Sequence, residues 1–301
     1  MMSDPPIAAP RSPVGPRNRQ WARWVIAVMI ALWVAAMLSR NVIRAHWWTH
    51  RLATVEQPAE RWYYSQCLAS LGERAIGPVG TLLDHQDPAV RLLATNVLCQ
   101  SESDASCDAL IVGAGGQDIE VKRVAIRALS LREDDRARPT MREWLREGDP
   151  RTAMIVAADY IGESLDATVE VLADALRHHP NPGVRIEAVV RMEELGSTLA
   201  VPALIDALVD DGVFHGETER DIRAQAMWRA VRTGTQARSL NAVTLDLEVE
   251  THYIVSERAL RALHVLTDRP PADSATAPID HAALADNWRT WWAKQSQRQD
   301  P

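Results

Sequence analysis

The chain has 301 residues, 47% hydrophobic and 24% charged, which excludes a disordered or collagen-like polymer and is enough for one large domain or an elongated array. Its formal charge of −7 is unevenly spread: residues 1–51 hold seven Arg against one acid, Asp4, so that segment nets +6 and the remainder −13. An acidic body excludes nucleic acid as the main partner, because phosphate binding needs a basic stripe that releases counterions.

Residues 1–20 are rich in Pro and Arg and read as a disordered tail. Trp24 to Leu38 follows as WVIAVMIALWVAAML, fifteen residues without a charge. A bilayer span needs about 20 residues. Trp24 to Ile43 supplies that length if Arg40 snorkels to the headgroups, with Trp21 and Trp24 at one interface and Trp47 and Trp48 at the other. The expectation is a transmembrane signal-anchor helix over 21–48. Arg11, Arg17, Arg19 and Arg23 before the span, against Arg40, Arg44 and Arg51 after it, favour a cytoplasmic N-terminus and a periplasmic body. A secretory signal peptide cleaved after Ala36, or a cytoplasmic body, are the alternatives.

From residue 49 to 267 the chain repeats. DPAVRLLATNVL from Asp87 and DIEVKRVAIRAL from Asp118 share Asp, Val, a basic residue, Ala and Leu at matching offsets. The same frame fits segments starting at Gln57, Asp149, Asn181, Glu219 and His252, at spacings of 30, 31, 31, 32, 38 and 33 residues. In each unit a polar residue, often followed by Pro, predicts an N-cap and a helix start. The third, seventh and eleventh positions beyond it form one apolar stripe: Val90, Ala94 and Leu98; Val121, Ala125 and Leu129; Val184, Ala188 and Met192. A second, shorter apolar helix, opening near Pro78, Pro139 or Pro202, precedes each cap. Two helices per ~31 residues cannot bury their apolar faces alone, so neighbouring units must stack.

DPAVRLLATNVL and NPGVRIEAVVRM resemble the second helix of the HEAT family, in the short bacterial form also seen in relatives of phycobilin lyases. The resemblance implies a right-handed α-solenoid with protein binding along the concave face; with the seven units of the period and the N-terminal segment, the expected fold is all-α, about seven helical hairpins behind one transmembrane helix. The resemblance further implies that Arg61, Arg91, Lys122, Arg185 and Arg223, four residues beyond each cap, pair with the cap aspartate of a neighbouring unit. The terminal segment 268–301 is similar to the WxxWW helix that closes many bacterial HEAT-repeat proteins. Trp288, Trp291 and Trp292 share one helical face there, as a cap on the open end or a partner-binding patch.

Motifs for chemistry are few. HExxH, GxSxG, CxxC and a phosphate-binding Gly loop do not occur, so no catalytic residue, metal, cofactor or small-molecule substrate is assigned. Cys99 and Cys107 flank a polar loop and either pair as a disulfide in an oxidising compartment or pack as free thiols. His85, His178 and His179 fall at helix ends, where imidazoles complement the dipole. The 38-residue interval holds an insertion of about six residues near DDGVFHGETERD, a partner-contacting loop with Phe214 and His215, or, less in keeping with an ordinary acidic turn, a metal site of Asp211, His215 and Glu217. Arg127, Arg191, Trp228 and Arg261 face solvent by pattern and join Phe214 and His215 as candidate partner contacts, since Trp and Arg are the usual hot-spot residues. The expectation is a non-enzymatic, membrane-anchored scaffold or adaptor in a bacterial inner membrane. A bilin-lyase-like enzyme or chromophore chaperone, and a module regulating a membrane partner, are the alternatives.

Overall fold

A computed structural model of the protein describes residues 16–132, 136–232, 252–267 and 280–299. The first fifteen residues of the Pro-rich tail, the linker at 268–279 and the Trp228 side chain lie outside the described residues. The chain is mostly helical. Its elements are α1 (Pro16–Thr54), α2 (Pro58–Ser70), α3 (Glu73–Gly80), α4 (Pro88–Cys99), α5 (Asp104–Gly115), α6 (Ile119–Ser130), α7 (Ala137–Glu147) and α8 (Pro150–Asp159). There follow α9 (Leu165–His178), α10 (Pro182–Leu195), α11 (Val201–Asp206), β1 (Val213–His215), α12 (Glu219–Arg232), β2 (His252–Ile254), α13 (Val255–Thr267) and α14 (His281–Gln299).

The predicted helix starts are where the caps put them. The Asp87, Asp118, Asp149 and Asn181 side chains each accept a hydrogen bond from a backbone amide two residues on, opening α4, α6, α8 and α10. All nine predicted stripe residues of α4, α6 and α10 are buried. Pro78, by contrast, lies inside α3, which begins at Glu73.

The helices pack in two rows. α1, α3, α5, α7, α9 and α11 contact one another in that order, and so do α2, α4, α6, α8, α10 and α13. Each member of the first row also packs on its partner in the second. Among the described residues this makes six helix pairs, one fewer than the period predicts. The helix from Glu219, α12, is outside the rows, and α13 packs directly on α10. The insertion is therefore not six residues but the whole of 211–254. Its base is closed by the antiparallel β1–β2 pair and by the Val255 and Ser256 amides, which donate to the Gly212 and Asp210 carbonyls at 3.0 Å. The frame positions at Glu219 and His252 are also displaced: Thr218 and Asp221 hydrogen-bond reciprocally to open α12, and His252 begins a strand.

The N-terminal expectation needs correcting. Among the described residues no helix is long and apolar enough to cross a membrane, which overturns the single-pass inner-membrane localisation and the transmembrane helix expected over 21–48. The uncharged run of fifteen residues rises only ~22 Å against ~30 Å of hydrocarbon, and extending it brings Arg40 and Asn41 into the helix. Nor does the segment end at 48. α1 continues to Thr54 and its last three turns are the first member of the first row, with Ala45, Thr49 and Leu52 buried on one stripe. Trp48 packs against the core, and the Trp47 ring meets Tyr64 of α2 edge-on at 5.9 Å. Trp21, Trp24, Ile26, Met29 and Trp33, farther up the helix, are exposed.

Second-row helices are tied end to end by the expected ladder. The guanidinium of Arg61 lies 2.7 Å from Asp87, Arg91 donates through Nε to Asp118 at 2.8 Å, and Lys122 reaches Asp149 at 3.2 Å. Each carboxylate thus caps its own helix and receives the cation of the helix before it. Arg185 makes the same contact with Asp210, at the point where the chain leaves the row. Arg223, on α12, does not belong to the ladder and binds Asp159. At the far end, α14 packs on α11 and the following turn, Ala207–Val209, with Trp288 buried and Trp291 and Trp292 half-buried against the core.

Asp118→Ala removes a cap and takes the carboxylate from the Arg91 guanidinium, which keeps only its bonds to the His85 and Gln86 carbonyls, so it is expected to cost about 2–3 kcal/mol. Asp118→Asn keeps the cap and should cost less than half as much; equal losses in urea denaturation would show that the ladder contact, not the cap, dominates. Trp288→Ala should cost about 3–5 kcal/mol in the same assay, unless α14 unfolds separately at lower urea, which near-ultraviolet circular dichroism of the tryptophans resolves.

Candidate functional site

The second-row helix α8 differs from the two helices before it in the row. In α4 and α6 one side is polar, whereas every residue of α8 from Thr152 to Asp159 is buried. A helix apolar all round is covered all round. α8 contacts α6, α10, its first-row partner α7 and, on its remaining side, the inserted helix α12.

Polar groups fix α12 in this position. Glu219, its first residue, is 1% exposed and accepts two hydrogen bonds from the guanidinium of Arg123 on α6, at 2.8 and 3.1 Å. The Glu219 amide donates to Oε1 of Glu187 on α10 at 2.5 Å. One turn on, Arg223 donates to Asp159 at the end of α8, at 2.6 Å. Arg220 and Arg258, from α12 and α13, converge on Glu193 of α10 at 3.3 and 2.8 Å. Tyr253 of β2 donates to Asp221, so the ribbon and α12 are joined as well.

Burial sets the electrostatics. Glu187 is 0% exposed, its Oε2 has no hydrogen-bond partner, and burial pushes its carboxyl up to about 8 against a single opposing hydrogen bond from the Glu219 amide. Asp159 is raised in the same direction by burial, countered by Arg223, Arg127 and Arg191. On the ladder the balance is opposite. Asp149 is drawn down to about 2, because hydrogen bonds from Thr152 and Lys122 outweigh its burial.

Several expected contacts find different roles. Arg127 and Arg261 are exposed, on α6 and α13. Arg191 is mostly covered, pairs with Glu194 at 3.4 Å and faces Asp159. Phe214 is half-buried and structural: its ring lies on Gly183, where a Cβ would come within 2.7 Å. His215 is exposed, and Asp211, His215 and Glu217 form no metal cluster; among the described residues no group of His, Cys, Asp and Glu is placed to hold an ion. Cys99 and Cys107 are not joined as a disulfide. Cys107 is wholly buried, and burial lifts the Cys99 thiol to about 11, disfavouring the thiolate that exchange requires. His85 and His179 each accept, at Nδ1, the amide of the cap residue two positions on, Asp87 and Asn181, at 3.1 Å, and burial lowers the pKa of His179. An open recess of about 450 Å³ beside His85 is lined by Arg91 and Asp118, already paired in the ladder.

Arg123, Asp159 and Glu187 were not among the sequence candidates. The signal that finds them is the missing polar face of TAMIVAAD in α8, together with a lone Glu on the buried side of α10.

No family model and no curated protein matches the chain. A crystal structure of an engineered protein is similar over 74% of this chain and 96% of its own, at 18% identity and a TM-score of 0.32, a likeness too slight to bear on fold or function.

A carboxyl raised from 4.5 to about 8 by burial stabilises the folded state least where the unfolded chain has lost its proton. Stability should therefore fall as pH rises from about 5 to 8, a range in which the ladder aspartates stay ionised. Glu187→Gln should flatten that slope, with an advantage over the natural protein that grows towards pH 8. Parallel urea-stability curves for the two proteins across this range would refute the assignment.

Proposed function

We propose that the chain is a non-enzymatic interaction scaffold or adaptor, an α-solenoid of HEAT-like hairpins that binds a protein partner along its second-row helices. The observation that carries this reading is α12: the row already accepts a helix on its open side, through charged groups contributed by α6, α8 and α10. The ~31-residue period and the ordered contacts within each row support the solenoid, and its right hand follows from the HEAT resemblance. Arg127 and Arg261, with exposed Trp62 and Tyr63 on α2, supply side chains of the kind that anchor interfaces.

Affinity capture with cross-linking tests the reading. The natural chain and Arg146→Glu, a change at an exposed site on first-row α7, should recover the same partner, while Arg127→Glu/Arg261→Glu should recover about tenfold less. Equal recovery by all three, or a partner lost only with Arg146→Glu, would overturn it.

A further inference from the structure

Building on the reading that the second-row helices bind a partner, we propose that Arg123, Asp159 and Glu187 form a recognition site for a helix N-terminus carrying Glu at its first position and Arg four residues later. On this view α12 is the chain's own occupant, and a partner helix with the same pattern binds by displacing it.

The geometry is that of a receptor and a ligand. The three receptor side chains come from three different helices, so the site exists only because α6, α8 and α10 are stacked. On α12, Glu219 and Arg223 are four residues apart and thus on one face, which lets one short segment satisfy Arg123 and Asp159 together. The charges are complementary in order: acid to Arg123, amide to Glu187, base to Asp159.

Two further observations indicate that α12 is a replaceable occupant. Glu187 keeps one oxygen buried and unpartnered at the start of the helix, a position that a ligand with one more donor in its first turn would fill. Among the described side chains of α12, residues 219–226, the apolar ones are Ile222, Ala224 and Ala226, and Ile222 is only half-buried. Over these described residues, α12 is held by polar pairing more than by apolar burial. Segments with few buried apolar contacts open at low cost. Its departure would keep α13 on α10, because that contact is made without it and the chain crosses from Asp210 to Val255 through the β1–β2 base, while the α8–α10 step would lose the tie that α12 supplies.

The probe is a fluorescent peptide with the sequence of residues 217–232, followed by anisotropy. The full-length Glu219→Ala/Arg223→Ala chain, whose own α12 has lost its anchors, should bind it at least about tenfold more tightly than the natural chain does. A peptide bearing the same two alanines should not bind. Equal binding by both chains, or binding of the substituted peptide, would overturn the proposal. If the double variant does not fold, Asp159→Asn serves instead: amide exchange in residues 221–232 should accelerate about tenfold while α4 and α10 stay protected, and unchanged exchange would overturn it. Peptide binding without any captured partner would sink the scaffold reading and leave the site standing; a captured partner without peptide binding would do the reverse.

Discussion

The structure depends on a carboxylate with two tasks. In Asp87, Asp118 and Asp149 one side-chain oxygen closes the first turn of its own helix while the carboxylate receives the cation of the helix before it. The first task fixes where a helix begins, and the second fixes where it begins relative to its neighbour. Packing alone leaves a helix free to slide along an apolar groove by fractions of a turn. A charged hydrogen bond at one end removes that freedom, and repeating it from pair to pair sets a common register for the second row.

This double use explains what was legible in the sequence. A polar cap, in several units followed by Pro, with apolar residues three, seven and eleven positions beyond it is a local pattern, so the caps and the buried stripes were readable from residue spacing, while the ladder was what the HEAT resemblance implied. What the period misassigned was α12. Its sequence has helical spacing and a start close to the frame, and nothing local distinguishes a helix that joins the row from one that lies across it. The difference rests in the neighbours: α13 carries the buried Val255, Ala259 and Ala262 that meet α10, and α8 lacks the polar side that an uncovered helix would need. The N-terminal segment was misread for a related reason. Its apolar run is continuous with a helix whose last turns belong to the first row, and composition does not show where one role ends and the other begins.

Buried charge is distributed accordingly. The ladder aspartates are near solvent and hold their protons weakly, so they contribute across the neutral range. Glu187 and Asp159 are buried and resist ionisation, which makes the α12 contact sensitive to pH where the ladder is not. The stack and its strap thus respond to different conditions although both are built from carboxylate and guanidinium groups.

The ladder breaks at one step, and the break coincides with the strap. Four residues beyond the Asp149 cap stands Ala153, fully buried, where α2, α4, α6 and α10 carry Arg or Lys, and the next cap is the neutral Asn181. The two changes belong together, since an aspartate at 181 would cap α10 with no cation from α8 to receive. Without that rung the α8–α10 step needs another tie, and α12 provides it: Arg223 binds Asp159 on α8 while the Glu219 amide binds Glu187 on α10. The one joint of the second row that is not closed by its own ion pair is therefore closed by a segment from outside the row. Any ligand that replaces α12 must either make the same two bonds or loosen that joint, so occupancy of the surface and the stiffness of the stack at its middle are coupled by construction.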